Sequence, residues 1–186
     1  MDISTIINKI PFDKDSILNI YYYGSQLWGY ATADSDVDLI IIIKNRAKYP
    51  NFKQCLHIDK FDMQLYDEEQ FVQELNACKF FPILTQLYPK CKLQEKKLFK
   101  LNKKIINFKK SICDEIYRDI VFADKLFKKK QSDKAIKTLK HSIRMANIAV
   151  QIMNKEEIII YSQDELTTLN YEEILDRLKQ LLNKFL

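Results

Sequence analysis

The sequence predicts an α+β fold, in which a small mixed sheet with flanking helices is followed by a C-terminal helical bundle. Residues 17–23 and 37–43 are rich in β-branched and aromatic side chains, a composition typical of buried strands. Residues 57–66 alternate between apolar and polar side chains, which indicates a half-buried strand. From about residue 94 onward there is no glycine or proline, and apolar positions recur at helical spacing.

Composition narrows the class of protein. Of the 186 residues, 47% are hydrophobic and 30% are charged, so we expect a globular chain rather than a disordered one. The longest apolar run, Leu39–Ile43, is far shorter than the ~20 residues that span a bilayer, which predicts no membrane segment. The four cysteines have no C-x-x-C spacing, which argues against zinc and against a disulfide scaffold. We therefore expect a cytoplasmic protein.

The chain has two glycines, Gly24 and Gly29, and they stand close together. Segment 24–29 directly follows the first predicted strand, and we interpret it as a tight turn that opens a short helix. A chain with so few glycines is expected to keep them where the backbone turns sharply or approaches a ligand closely.

Further elements are predicted along the first half. A strand is expected over 37–43 and another over 57–66. Asp67, with Gln70 three residues later, has the pattern of a helix N-terminus and predicts a helix over about 68–77. We take residues 1–92 as the first domain.

Residues 93–186 form the second predicted domain, which is helical and basic. Helices are expected up to about Lys130, then from Ser132, and finally from Asn170, where Glu173 completes a capping pattern. The middle helix carries one apolar seam, made of Ile136, Leu139, Ile143, Ala146, Val150 and Met153. Residues 157–161 fit either a short strand or an extended link.

Acidic residues mark a candidate metal site. Asp36 and Asp38 stand at the start of the second strand, where residues i and i+2 share a face and their carboxylates repel each other. A hard cation such as Mg²⁺ relieves that repulsion. Asp62 lies within the next strand, where an acid is disfavoured, and it joins the cluster if the two strands pair. Asp59 is the competing third acid, between Ile58 and Lys60.

Gly24 and Ser25 offer a candidate phosphate site. They lie between a strand and a helix, where backbone N–H groups attract phosphate and glycine allows a close approach. The G-x-G-x-x-G pattern of dinucleotide-binding loops is absent from the sequence. Beside a cluster of acids, this turn predicts a site for a nucleoside triphosphate.

These motifs together resemble the signature of the DNA polymerase β-like nucleotidyltransferase superfamily. The matching segments are Tyr23-Gly24-Ser25, Ser35-Asp36-Val37-Asp38-Leu39 and Phe61-Asp62-Met63, in that order. The resemblance implies that Asp36, Asp38 and Asp62 hold Mg²⁺, two ions in the usual case or Mn²⁺ as a substitute. It also implies that Asp62 helps to activate the acceptor hydroxyl, and that Gly24 and Ser25 hold the triphosphate.

A second likeness extends beyond the signature. Segment Phe80-Phe81-Pro82-Ile83-Leu84 and the later Lys140-His141-x-x-Arg144 are similar to the RNA-ligase-associated branch of predicted nucleotidyltransferases. Lys137, Lys140, His141 and Arg144 form a stripe beside the apolar seam. We interpret this stripe as a nucleotide contact, with a solvated helix face as the alternative.

Charge in the second half suggests a polyanionic partner. Residues 96–144 hold 16 Lys and Arg against 5 Asp and Glu, enough to attract RNA through its phosphates. The sequence thus predicts a Mg²⁺-dependent nucleotidyltransferase that moves NMP from an NTP to an acceptor hydroxyl, with an RNA end preferred. The open alternatives are an antitoxin-type adenylyltransferase acting on a partner toxin, a small-molecule adenylyltransferase, and an inactive nucleotide- or RNA-binding module.

Overall fold

The structure is a computed structural model that describes residues 3–29, 31–49, 54–101, 105–159, 166 and 168–185. The chain divides into two compact units. Met1–Asn76 and Phe81–Asn102 form the first, and Ala77–Phe80 and Lys103–Leu186 form the second. None of the described helices is both long and apolar enough to cross a membrane.

A mixed sheet organises the first unit, which confirms the predicted α+β class. Within the described residues its strands are β1 (Ile17–Tyr22), β2 (Val37–Ile43), β3 (Cys55–Ile58), β4 (Phe61–Asp67) and β5 (Lys92–Glu95). The strand order is β3-β4-β2-β1-β5. The β2 and β4 strands are parallel, whereas the pairs β1–β2, β1–β5 and β3–β4 are antiparallel.

Short helices flank this sheet. They are α1 (Ile3–Lys9), α2 (Gly24–Trp28), α3 (Glu68–Asn76) and α4 (Phe80–Leu87), and the first residue of α4 belongs to the second unit. As predicted, α3 begins at a cap, where the Gln70 amide donates to Asp67 Oδ1 at 2.8 Å. One apolar cluster joins Ile6 of α1 and Ile10, just after this helix, to alternate residues of the strands, including Leu39 and Met63.

Two expectations for the first half are wrong. Residues 57–66 were expected to form one strand, but Asp59 and Lys60 form a turn that joins β3 to β4. Asp59 has φ of +53°, a conformation that Asp tolerates in a tight turn. Apolar and polar side chains alternate on both sides of this hairpin, and the sequence pattern therefore resembles that of a single strand. The helical region expected from about residue 94 also begins later than predicted, because residues 92–95 pair with the edge of β1.

The described part of the second unit is helical, as predicted. Its main helices are α5 (Ile105–Lys128), α6 (Ser132–Asn154) and α7 (Tyr171–Asn183), and α6 packs against both others. Asn170 and Glu173 form the predicted capping box.

The buried residues of α6 differ slightly from the predicted apolar seam. Leu139, Ile143 and Ala146 are fully buried, but Ala135 is buried in place of Ile136. Residues 157–159 are neither strand nor helix, and Gln151 exchanges two hydrogen bonds with the backbone of Ile159, at 2.7 and 3.2 Å. The remainder of the predicted 157–161 segment lies outside the described residues.

Candidate active site

Two of the three predicted acids are direct neighbours in the sheet. Asp38 is the second residue of β2 and Asp62 is the second residue of β4, and the parallel register pairs one with the other. Adjacent strands lie ~4.8 Å apart, so the two carboxylates leave neighbouring backbones on the same face. Both residues are half-buried.

The alternation of the strands fixes which face these acids occupy. Val37, Leu39 and Phe61, the immediate chain neighbours, point into the apolar cluster with α1. Successive side chains of a strand point to opposite faces, so Asp38 and Asp62 lie on the face away from that cluster. Because the apolar residues at positions 37, 39 and 61 point into the core, Asp38 and Asp62 point away from it.

The turn after β1 is built around Asp38. The Tyr23 amide donates to the Asp38 backbone oxygen at 3.1 Å, and the Ser25 amide donates to Asp38 Oδ2 at 3.4 Å. Gly24 has φ of +58°, and a Cβ on it would lie 1.8 Å from Asp38 Oδ2. The sharp turn expected at Gly24 is confirmed by its positive φ. The group that lies close to its backbone is the Asp38 carboxylate and not a ligand.

The pKa of Tyr23 depends on its burial and on the charges of the two acids. Burial raises the pKa of its phenol, and the negative charges of Asp38 and Asp62 raise that pKa further. Its ring meets that of Phe81 edge to face, with centroids 5.5 Å apart. Tyr23 thus stays a neutral phenol beside both carboxylates, and it can donate a hydrogen bond but not act as a base at neutral pH.

Asp38 and Asp62 offer oxygen ligands of the kind that a divalent cation prefers. Asp36 is exposed in the loop before β2, and among the described residues no three His, Cys, Asp or Glu side chains are grouped to hold a metal ion. Asp38 and Asp62 still suit Mg²⁺, because this ion is commonly held by one or two carboxylates together with substrate phosphates. The donor chemistry therefore fits, and the place of Asp36 in the cluster stays a prediction.

The strand register also places His57 beside the two acids, although the sequence did not suggest this residue. His57 of β3 is the antiparallel partner of Asp62, so His57, Asp62 and Asp38 form a row on one face of three strands. Recognition of a turn at Asp59 would have indicated His57 as a neighbour of Asp62, because a hairpin centred there places residue 57 opposite residue 62. The competing acid Asp59 instead forms an exposed ion pair with Lys9, 2.5 Å long.

The predicted basic stripe belongs to the second unit. Along α6, Lys137 is exposed, Lys140 and His141 are half-buried, and Arg144 is buried. Burial lowers the pKa of His141, the charges of Arg144 and Lys137 lower it further, and Asp119 of α5 opposes them. The role of the stripe in nucleotide binding stays a prediction.

Comparison with known proteins assigns the family. The model of the nucleotidyltransferase domain family matches residues 3–183, nearly the whole chain. The protein belongs to this family, within the DNA polymerase β-like superfamily, and transfer of a nucleotidyl group is the general activity that membership supports. The RNA-ligase-associated branch stays a prediction.

Among solved structures, one similar chain is a nucleotidyltransferase-like protein from Exiguobacterium sibiricum 255-15. The two are 13% identical, the match covers 97% of this chain and 73% of the other, and the TM-score is 0.37. No curated protein matches the sequence.

Proposed function

We propose that this protein is a divalent-cation-dependent nucleotidyltransferase that moves NMP from an NTP to an acceptor hydroxyl and releases pyrophosphate. The observation that carries the proposal is the pairing of Asp38 with Asp62 on one face of the sheet, with Asp38 against the backbone of Gly24. Family membership supports the general reaction.

Each residue has a proposed role. Asp38 and Asp62, with Asp36 from the preceding loop, would hold Mg²⁺, as two ions, or Mn²⁺ in its place. The bound cation would lower the pKa of the acceptor hydroxyl and offset the negative charge of the phosphate oxygens. Gly24 and Ser25 would receive the triphosphate, since one lacks a side chain and the other offers a hydroxyl, while the Ser25 amide donates to Asp38.

The reaction exchanges one P–O bond for another. The acceptor oxygen bonds to the α-phosphorus, and the bond from this phosphorus to the α–β bridging oxygen breaks. The electron pair of the broken bond leaves with pyrophosphate, and the proton of the hydroxyl passes to solvent. Asp62 would orient and help to activate the hydroxyl, while the neutral Tyr23 phenol would donate a hydrogen bond beside it.

RNA is the proposed acceptor because of the charge of the second half. The 16 Lys and Arg against 5 Asp and Glu over residues 96–144 would attract its phosphates. Within that region Lys137, Lys140, His141 and Arg144 are the proposed contacts to nucleotide.

The proposal is tested by transfer of label. The protein is incubated with each α-³²P-labelled NTP, Mg²⁺ or Mn²⁺, and short RNAs with a free 3′-hydroxyl, while pyrophosphate release is measured in parallel. We expect labelled RNA, and a loss of at least about 100-fold in rate for Asp38→Asn and for Asp62→Asn, because each removes charge from the reacting centre. Circular dichroism checks that both variants stay folded.

Asp59→Asn is the matched control, since it makes the same substitution three residues before Asp62 in an exposed turn. It should keep the wild-type rate. Label on a protein or a small molecule instead of RNA would replace the proposed acceptor but keep the reaction. Absence of transfer to every acceptor class with every NTP, from a protein that still binds nucleotide, would identify an inactive module.

A further inference from the structure

The elements around the two acids follow a fixed order across the sheet. The turn at Gly24 and Ser25 comes after β1 and contacts Asp38 of β2. Asp38 pairs with Asp62 of β4, and Asp62 in turn pairs with His57 of β3. Because adjacent strands are ~4.8 Å apart, the backbone of His57 lies roughly 10 Å from that of Asp38, on the side away from the turn. The turn and His57 are therefore at opposite ends of one row of side chains.

His57 is the most accessible member of this row. It is exposed on β3, the last strand in the described sheet order, whereas Asp38 and Asp62 are half-buried. Its chain neighbours Leu56 and Ile58 pack against the apolar cluster on the other face, so His57 lies on the same face as the acids. A neutral imidazole has one ring nitrogen that donates and one that accepts. His57 can therefore exchange hydrogen bonds with a molecule that lies over the acids.

The contact that His57 makes is with substrate rather than with a cation. His57 and both acids are among the described residues, and within these no three His, Cys, Asp or Glu side chains are grouped to hold a metal ion. Mg²⁺ also prefers oxygen ligands to the nitrogen of an imidazole. The proposed cation site therefore consists of carboxylates, and His57 lies beside it.

The geometry of the reaction fixes the side from which the acceptor arrives. In an in-line displacement, the attacking and leaving oxygens lie on opposite sides of the α-phosphorus. With the triphosphate on the turn at Gly24 and Ser25, as proposed above, pyrophosphate leaves toward that turn. The acceptor hydroxyl then approaches from the other end of the row, over Asp62. The part of the acceptor next to this hydroxyl reaches His57.

We infer that His57 is an acceptor-binding residue whose imidazole forms a hydrogen bond with the group beside the reacting hydroxyl, an inference that rests on the proposed function. In RNA, the neighbour of the terminal 3′-hydroxyl is the 2′-hydroxyl of the same ribose, which both donates and accepts hydrogen bonds. Directly opposed residues of an antiparallel pair have Cα atoms about 4.5–5.5 Å apart, so Asp62 and His57 can each contact one of two vicinal hydroxyls. His57 thus favours a ribose end over a deoxyribose end.

Transfer to two RNAs that differ only in the last sugar tests the inference. One RNA ends in ribose, and the other ends in 2′-deoxyribose and keeps its 3′-hydroxyl. Wild-type kcat/KM should be about fivefold lower on the deoxy end, because one hydrogen bond is lost. His57→Ala should lose about fivefold on the ribose end and nothing further on the deoxy end, where that contact is already absent. The KM for NTP should not change, whereas a general disturbance of the acids would raise it.

Gln54→Ala is the matched control. Gln54 is exposed, and its backbone oxygen accepts from the Leu65 amide at 2.7 Å, which continues the pairing of β3 with β4. It lies three residues before His57 and therefore on the opposite face of the sheet. This variant should keep the wild-type preference for ribose. His57→Asn, whose amide supplies both a donor and an acceptor, should recover part of the preference that His57→Ala loses.

Three results overturn the inference and leave the proposed function in place, because labelled RNA still forms in each. In the first, the wild type does not distinguish the two ends. In the second, the losses from His57→Ala and from the deoxy end multiply instead of overlapping. In the third, Gln54→Ala loses the preference for ribose as His57→Ala does. A wild-type protein that labels neither RNA refutes the RNA acceptor of the proposed function, and the inference with it.

Discussion

The backbone of Gly24 and the carboxylate of Asp38 occupy adjoining space, and a single methyl group on the glycine would overlap Asp38 Oδ2. The glycine–serine turn and the first strand acid are thus one structural feature, although 13 residues separate Ser25 from Asp38. The Ser25 amide, which donates to that carboxylate, fixes the turn to the acid. A side chain added at Gly24 therefore displaces a proposed metal ligand.

Gly24→Ala is expected to destabilise the protein by about 2 kcal/mol or more, because the new Cβ meets Asp38 at 1.8 Å and the positive φ is strained. Chemical denaturation measures this change, and nucleotidyl transfer should fall with it as Asp38 moves. Gly29→Ala is the control. Gly29 also has a positive φ, of +73°, but its added Cβ meets nothing within 4 Å. It should cost only about 1 kcal/mol and keep the activity.

Asp36 can be tested as a cation ligand by comparison with Asp34, an exposed acid in the same loop. If Asp36 completes the site, Asp36→Asn should weaken binding of Mn²⁺ in the presence of NTP at least about tenfold, since a ligand is lost. Asp34→Asn should not change it. Titration calorimetry, with EDTA-treated protein as the starting point, measures both affinities. Equal affinities for the two variants would remove Asp36 from the proposed ligand set.

Asn19→Ala is expected to destabilise the protein by about 2–4 kcal/mol. The Asn19 side chain is fully buried and accepts from the Lys96 and Lys97 amides, both at 3.0 Å, while it donates to the Lys97 oxygen at 2.7 Å. Alanine leaves these groups without their partner. The same substitution at Asn154, which is exposed, should cost less than about 0.5 kcal/mol. Urea unfolding followed by fluorescence measures both.

The lowered pKa of His141 predicts how stability changes with pH. Below the ordinary histidine pKa of 6.5, the unfolded chain binds a proton that the folded chain excludes, so the free energy of unfolding falls as the pH decreases from 6.5. The slope from this group is at most about 1.4 kcal/mol per pH unit. His141→Asn should flatten the profile between pH 6.5 and 5.

Much of the fold could be predicted because local signals and tertiary packing agree. The apolar run of β2, the cap at Asp67 and the capping box at Asn170 each act within a few residues, so the sequence around them is sufficient. Strand β5 could not be predicted in this way. Its residues, Lys92–Glu95, carry no apolar alternation, and they are extended because the edge of β1 supplies their hydrogen-bond partners.

By itself, the sequence determined the components of the candidate site: a glycine–serine turn, spaced acids, and strands to hold them. Only the tertiary structure decided which acids meet, because strand register joins residues that are far apart along the chain. Register pairs Asp38 with Asp62, places His57 beside them, and sends Asp59 to an exposed turn with Lys9. Local sequence determines which segments form strands, whereas pairing between strands determines which residues each side chain faces.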